Sequence, residues 1–214
     1  MRLASVNVAR ARPLEGAKGL AGIFKEPVAA PDRVSRAGIE GDAVCDAKNH
    51  GGPDQALYLY GTPDYAWFSA KLGRALAPGT FGENLTIDGL ESAQVAIGDR
   101  FRVGNVLLEV SAPRIPCATL AARMNDLGFV KRFRAAERPG LYCRVIETGT
   151  LQAGDAVFHE PYAAERVLVL ELFRAFYDPA PSEAVLRRYL CAPIAARTRA
   201  DTEARLQKLA ARSR

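Results

Sequence analysis

The chain has 214 residues, 49% of them hydrophobic and 25% charged, with a net charge of +5, four Cys and two His. That length fits one domain with a small appendage, and the composition excludes wholesale disorder. His50 and His159 cannot build a three-His metal site. Cys45, Cys117, Cys143 and Cys191 contain no CxxC pair, which argues against a zinc knuckle or a dithiol redox motif.

The N-terminus, Met1-Arg2-Leu3-Ala4-Ser5-Val6-Asn7-Val8, lacks the apolar run of a secretory signal, and no stretch approaches a membrane span. The expectation is a cytoplasmic protein with free thiols. Residues 165–214 hold ten Lys/Arg against six Asp/Glu, so the basic excess belongs to the tail and not to the body.

Short apolar or alternating runs predict strands at Leu3–Val8, Gln55–Tyr60, Asn84–Ile87, Phe101–Val103, Val106–Ser111, Leu141–Glu147 and Ala156–Glu160. Gly-Asp pairs at Gly41-Asp42, Gly98-Asp99 and Gly154-Asp155 read as turns, with Gly supplying positive φ and Asp closing the turn. Many short strands joined this way predict a closed barrel, and no βαβ alternation is evident. Two helices interrupt the body. One starts at Thr62-Pro63-Asp64, with Thr62 as N-cap, and runs towards Gly73; the other follows Cys117 and includes Leu120 and Met124.

From Glu165 the pattern turns helical. Val169, Leu172, Phe173 and Phe176 share one face. Ser182 caps a second helix carrying Leu186, Tyr189 and Leu190, and Pro193 precedes a third with Leu206, Leu209 and Ala210. The predicted architecture is mainly β: a barrel over 1–164 and a small three-helix bundle over 165–214 that packs on it.

Three segments can carry chemistry. Lys48-Asn49-His50-Gly51-Gly52-Pro53 is a tight loop whose amides can meet ligand oxygens; the plainer reading is a turn with a surface His. Thr80-Phe81-Gly82-Glu83-Asn84-Leu85 offers an amide suited to a heterocycle edge, or simply an Asx turn entering a strand. Ser111-Ala112-Pro113-Arg114-Ile115-Pro116-Cys117 places a thiol just before a helix and close to Arg114, an arrangement that favours thiolate; a small packing Cys is the alternative. Cys143 reads as core and His159 as structural. Asp42, Asp46 and Glu83 are the sparse acid–base candidates. No GxGxxG, P-loop, GxSxG or HExxH is present.

An ordered set of motifs spans roughly residues 30–160: Gly38-Ile39-Glu40-Gly41-Asp42, His50-Gly51-Gly52-Pro53-Asp54-Gln55-Ala56, Phe81-Gly82-Glu83-Asn84-Leu85, Ile97-Gly98-Asp99 and Pro113-Arg114-Ile115-Pro116-Cys117. Together they resemble the MOSC domain family, the molybdenum cofactor sulfurase C-terminal domain. The helical tail looks like the three-α domain of stand-alone bacterial members, in the branch that reduces N-hydroxylated compounds such as hydroxylaminopurines. The resemblance implies a MOSC-type β-barrel that binds molybdenum cofactor, with Cys117 as the metal-ligating residue. Because the cofactor brings two dithiolene sulfurs, one protein thiolate suffices. Arg114, Arg36 and Lys48 are then expected at the pterin phosphate. His50, Gly51, Gly52, Gly82, Glu83, Asn84 and Pro116 are expected around the pterin, and His50 or Asp42 is expected to relay protons. The implied partners are a small N-hydroxylated substrate and a separate electron-donor reductase or small redox protein, for a monomer or homodimer without membrane. The rivals are a sulfur or cofactor carrier using Cys117 and a nucleic-acid-binding barrel using the basic tail; the tail's interleaved acids favour a solvated helix surface instead.

Overall fold

The computed structural model describes residues 1–15, 19–29, 32–46 and 50–212. The elements run β1 (Arg2–Val8), β2 (Arg12–Pro13), β3 (Leu20–Ala21), β4 (Glu26–Pro27), β5 (Asp32–Ser35), β6 (Gly38–Ile39), β7 (Leu57–Gly61), α1 (Thr62–Leu72), β8 (Leu85–Asp88), β9 (Arg100–Val103), β10 (Val106–Pro113), α2 (Ala118–Arg123), α3 (Phe129–Ala136), β11 (Leu141–Glu147), β12 (Gly149–Leu151), β13 (Val157–Glu160), α4 (Val169–Ala175), α5 (Glu183–Leu190) and α6 (Ala196–Arg212).

One eight-stranded sheet, ordered β13-β9-β10-β11-β7-β8-β1-β4, dominates. Its ends meet: Leu3 N donates to Asp155 O at 2.9 Å and Val157 N to Met1 O at 2.9 Å, which closes the barrel between β1 and the approach to β13. Alternation divides the core. Leu57 and Leu59 of β7, with Leu141, Cys143 and Val145 of β11, fill the barrel. Tyr58, Tyr60 and Tyr142 from the same strands face a second, aromatic cluster with Tyr65, Phe68, Phe81, Phe129 and Phe133. These two strands are therefore buried on both faces, and α1, α2 and α3 cover the outer one.

The sequence expectations need four corrections. β7 and β8 pair in parallel, so β7-α1-β8 is a βαβ unit inside a mixed sheet. Thr62 is the first helical residue after Gly61; its hydroxyl accepts from Gly89 N at 3.4 Å and does not cap the helix. The helix after Cys117 ends at Arg123, and the separate α3 carries only Phe129 and Phe133 as buried residues, too few to show a period in the sequence. Phe176 is exposed, because α4 stops one residue before it.

The Gly-Asp turns form with φ of +83°, +86° and +96° at Gly41, Gly98 and Gly154. Asp99 and Asp155 close theirs by accepting from Ala96 N at 3.0 Å and Gln152 N at 2.9 Å. Asp42 instead accepts from Ala9 N at 2.8 Å.

All three tail helices form, and Ser182 caps α5 by accepting from Val185 N. They pack on the barrel: Val169, Leu172, Tyr189 and Ile194 join the barrel cluster, while Phe173 and Ala195 join the aromatic one. Arg187 and Arg188 are paired with Glu183, Glu165 and Glu171, and Arg205 with Asp201, so much of the tail's basic charge is balanced locally. Among the described residues, no helix is long and apolar enough to cross a membrane.

Asp99 anchors the start of the tail. Fully buried, it accepts from Tyr162 N (2.8 Å) and both terminal nitrogens of Arg166 (3.1 Å), and meets His159 Nε2 at 2.8 Å. Asp99→Ala strands these donors and is expected to cost about 2–3 kcal/mol. For a chain of this size that lowers the thermal midpoint by roughly 4–12 °C. Calorimetry checks it; an unchanged midpoint contradicts the anchoring role.

Candidate functional site

The site is built where β10 leaves the sheet. The ladder with β11 shifts register between Val110 and Ala112, a bulge that re-aims the strand end. Ser111 there donates to Tyr142 O at 3.0 Å and to Asp54 O. The Pro-braced loop that follows delivers Arg114 and then Cys117, the N-cap of α2, whose carbonyl accepts from Leu120 N (3.1 Å) and Ala121 N (3.2 Å).

Cys117 is half-buried on a wall shared by two cavities. The first, about 350 Å³, is polar and includes Lys25, Asp42, His50, Gly82, Asn84, Arg114 and Tyr142 in its lining. The second, about 500 Å³, lies between the Cys117 loop and the tail helices. Pro113, Ile115, Pro116, Leu172, Phe176 and Leu186 give it apolar walls, and Arg197, Asp201 and Arg205 give it a polar end. His50, Gln55, Cys117 and Tyr142 border both.

Burial pushes the Cys117 thiol up, but other effects win. The hydrogen bond to His50, the charge of Arg114, the charge of His50 and the Leu120 N–H bring it down to about 6. Cys143 in the barrel has no such company, and burial raises its thiol. His50 Nδ1 lies 3.1 Å from Tyr142 OH, which fixes the ring between Tyr142 and Cys117.

Arg114 is only 4% exposed. Its guanidinium donates to Phe81 O and lies 5.1 Å from the Tyr58 ring centroid, while its Nε has no partner. Burial works against its charge, but Tyr142, Tyr58 and Cys117 outweigh this and hold it protonated. Gly82 is required beside it: φ is +77°, and a Cβ would sit 2.9 Å from Ile23 Cγ1 and 3.4 Å from Arg114 Nη1.

Several expected site residues do other work. Asp42 is committed to the frame: Oδ1 accepts from Ala9 N, and Oδ2 takes Lys25 and, at 2.8 Å, Asn84 Nδ2. Asn84 lines the cavity, but its Oδ1 accepts from Tyr58 N at 3.2 Å, so its amide is spent on the protein. Glu83 is fully buried behind the cavity. Its Oε1 accepts from Tyr65 OH (2.6 Å), Gly79 N (2.6 Å) and Thr86 Oγ1 (2.8 Å), and burial nevertheless pushes the carboxyl up. Arg36 is exposed and donates to Val145 O at 3.0 Å, outside both linings. Gly51 and Gly52 shape the loop without lining either cavity, Gly52 with φ of +92°. Lys48 lies outside the described residues.

The structure adds Lys25, which sequence reasoning missed. In Phe24-Lys25-Glu26 it reads as a surface residue, yet its side chain is 7% exposed and paired with Asp42. Burial lowers its pKa, and Asp42 opposes that. Among the described residues, no three His, Cys, Asp or Glu side chains converge as a metal site.

The MOSC domain model matches residues 46–158, slightly more than half of the chain. The chain belongs to the MOSC domain family. YflK from Bacillus subtilis is 38% identical over 152 residues, 70% of this chain and 69% of its own length. A protein named Reductase from Gibberella moniliformis is 33% identical over 152 residues, 68% of this chain but 27% of the relative. The crystal structure of YiiM from Geobacillus stearothermophilus superposes with a TM-score of 0.80 at 26% identity, covering 96% of this chain and 98% of that one. The matched MOSC segment contains His50, Asn84, Arg114 and Cys117. Lys25 and Asp42 precede it, and the tail wall of the second cavity follows it.

The tail wall is held by Asp54, next to the His50 loop. Asp54 Oδ2 accepts from Ala196 N, the first residue of α6, at 2.6 Å, and Oδ1 takes Arg144, which also donates to Pro193 O (2.8 Å) and Ile194 O (3.0 Å). Asp54→Ala is expected to raise amide exchange over residues 194–200 by about tenfold or more while the barrel strands stay protected. Hydrogen exchange read by mass spectrometry checks this; unchanged exchange there contradicts it.

Proposed function

We propose that this MOSC-family protein is a molybdenum-cofactor-dependent oxidoreductase that reduces N-hydroxylated small molecules, such as hydroxylaminopurines or amidoximes, to the amines. The observation that carries the reading is the position of Cys117: one thiol, beside the buried Arg114, on the wall between a cavity lined by charged side chains of both signs and a more apolar cavity.

The residues present fit the cofactor. Cys117 offers the single soft ligand that a dithiolene-bearing metal needs. The buried, unpartnered Nε of Arg114 suits an anionic group in the first cavity, beside the Lys25–Asp42 pair. Gly82 lets Ile23 and Arg114 pack against the backbone at the cavity wall, where a Cβ would collide with Ile23. When bound, the cofactor supplies the redox-active metal and the two further sulfurs.

The chain's own residues then divide the work. Arg114 would meet the anionic end of the ligand, with the Lys25–Asp42 pair beside it. Cys117 would hold the metal as thiolate, with His50, set by Tyr142, hydrogen-bonded beside it. The apolar walls from Ile115, Leu172 and Leu186 exclude water around an uncharged substrate and direct its N–OH end to Cys117. The overall reaction takes R–NHOH, two electrons and two protons to R–NH2 and water. The relative named Reductase supports the oxidoreductase part of this reading.

Expression in cells able and unable to make molybdopterin tests it. Molybdenum and pterin are expected to co-purify only from the first, and Cys117→Ser is expected to lose about 100-fold or more of N-hydroxyl reduction. Full activity in Cys117→Ser, or no bound metal from competent cells, contradicts the proposal. Bound cofactor with no turnover turns the reading to a carrier.

A further inference from the structure

The outer wall of the first cavity carries charge that the site does not use. Ile23 and Lys25 line the cavity, but Phe24 between them does not. Its ring instead carries two guanidiniums, Arg12 at 4.0 Å and Arg123 at 4.9 Å from the centroid. Arg74 lies close enough that it, like Arg12, depresses the Arg123 pKa, after the larger effect of burial. Against these three cations stands Glu26, 3.3 Å from Arg12.

Among the described residues, Arg74 and Arg123 have no carboxylate within ion-pair distance, and Arg123 Nε is buried without a partner. Elsewhere Arg100, Arg102, Arg132, Arg174, Arg187 and Arg188 each have one, and Arg134, stacked on Tyr177 without one, stands alone on its ring; what marks this cluster is that several guanidiniums meet at one place. None of the three lines a cavity described above, and Arg12 and Arg74 are exposed with the half-buried Arg123 beneath them, so the charge of this pair is presented outward and not to a small enclosed anion. Arginine stacked on an aromatic ring is pre-ordered, and such residues dominate protein interfaces.

Arg123 is the last residue of α2 and Cys117 is its N-cap, so about 9 Å of helix separates the cluster from the site thiol. The reduction proposed above consumes two electrons per N–OH, which an external reductant must deliver near Cys117.

Resting on that functional reading, we infer that the Arg12–Arg74–Arg123 face is the docking surface for a small acidic electron-carrier protein. Complementary charge steers the carrier onto this face, at the far end of the helix that begins at Cys117. Two one-electron dockings, with two protons from solvent, balance each substrate reduced and each water released.

The test uses a plant-type [2Fe–2S] ferredoxin as the acidic probe and the cofactor-loaded protein. Its variants are Arg12→Glu with Arg74→Glu, and a control of equal charge change, Lys131→Glu with Lys208→Glu, at exposed lysines of α3 and α6. Wild type is expected to bind the probe at low salt and lose it as salt rises. The arginine pair should weaken binding at least tenfold and the control less than twofold. Ferredoxin-driven reduction should fall in step, while dithionite-driven reduction stays within twofold of wild type. No salt-sensitive binding by wild type, equal weakening by the control, or full binding by the arginine variant overturns the docking face. Absence of dithionite-driven reduction in loaded wild type overturns the functional reading instead, and with it the electron-delivery role, even where binding persists.

Discussion

A guanidinium keeps its proton at any pH the fold survives, so burying Arg114 commits its surroundings to supply negative charge. The protein meets that demand in steps. Phe81 O takes one donor and the Tyr58 ring lies beside the cation. Cys117 supplies compensating charge as thiolate: burial pushes its thiol up, but the His50 hydrogen bond and then the Arg114 charge bring it down. Glu83, buried behind the cavity, is turned to Tyr65, Gly79 and Thr86, and its raised pKa makes it a poor counter-ion. Lys25 already has Asp42. The cavity is thus left with Arg114 Nε unmet, a standing preference for an anionic ligand.

The same loop must face two cavities of opposite character, and the fold achieves this by tying three segments at one place. Ser111 at the β10 bulge, Asp54 after the His50 loop and Arg144 of β11 bond to one another and to residues 193–196 of the tail. The tail helices are therefore seated by the residues that set the His50 and Cys117 loops. A change in the tail's seating reaches the site without any contact to Cys117 itself.

Strand positions were legible because alternation and Gly-Asp turns are local. Leu141, Cys143 and Val145 point to the barrel core as their spacing demands, and the seven expected strands differ from their observed counterparts only at their ends; the short β2–β6 and β12, two to four residues each, were not expected because they are too short to show alternation. The parallel β7–β8 pair was hidden because twelve residues of loop separate α1 from β8, longer than a typical βαβ return. At the site, Cys117, His50 and Arg114 could be found from their motifs, since stiff loops and a thiol before a helix are sequence features. Glu83, Asn84 and Asp42 sit in the same motifs but hold the frame; a motif marks a required residue without saying whether it faces the ligand or braces the wall. Lys25 carried no local signal at all, because its partner Asp42 lies 17 residues further along the chain.

The account centres on a thiolate held at Cys117 by His50 and Arg114. The direct measurement is the pH dependence of Cys117 alkylation by iodoacetamide, with the exposed Cys45 and Cys191 replaced by Ser and Cys143 buried. Because the thiol is lowered, the thiolate exists above its midpoint, so the rate should rise through a midpoint of about 6. In His50→Ala that midpoint should move towards the ordinary thiol range near 8.5. A wild-type midpoint already in that range, or one that His50→Ala leaves in place, contradicts the account.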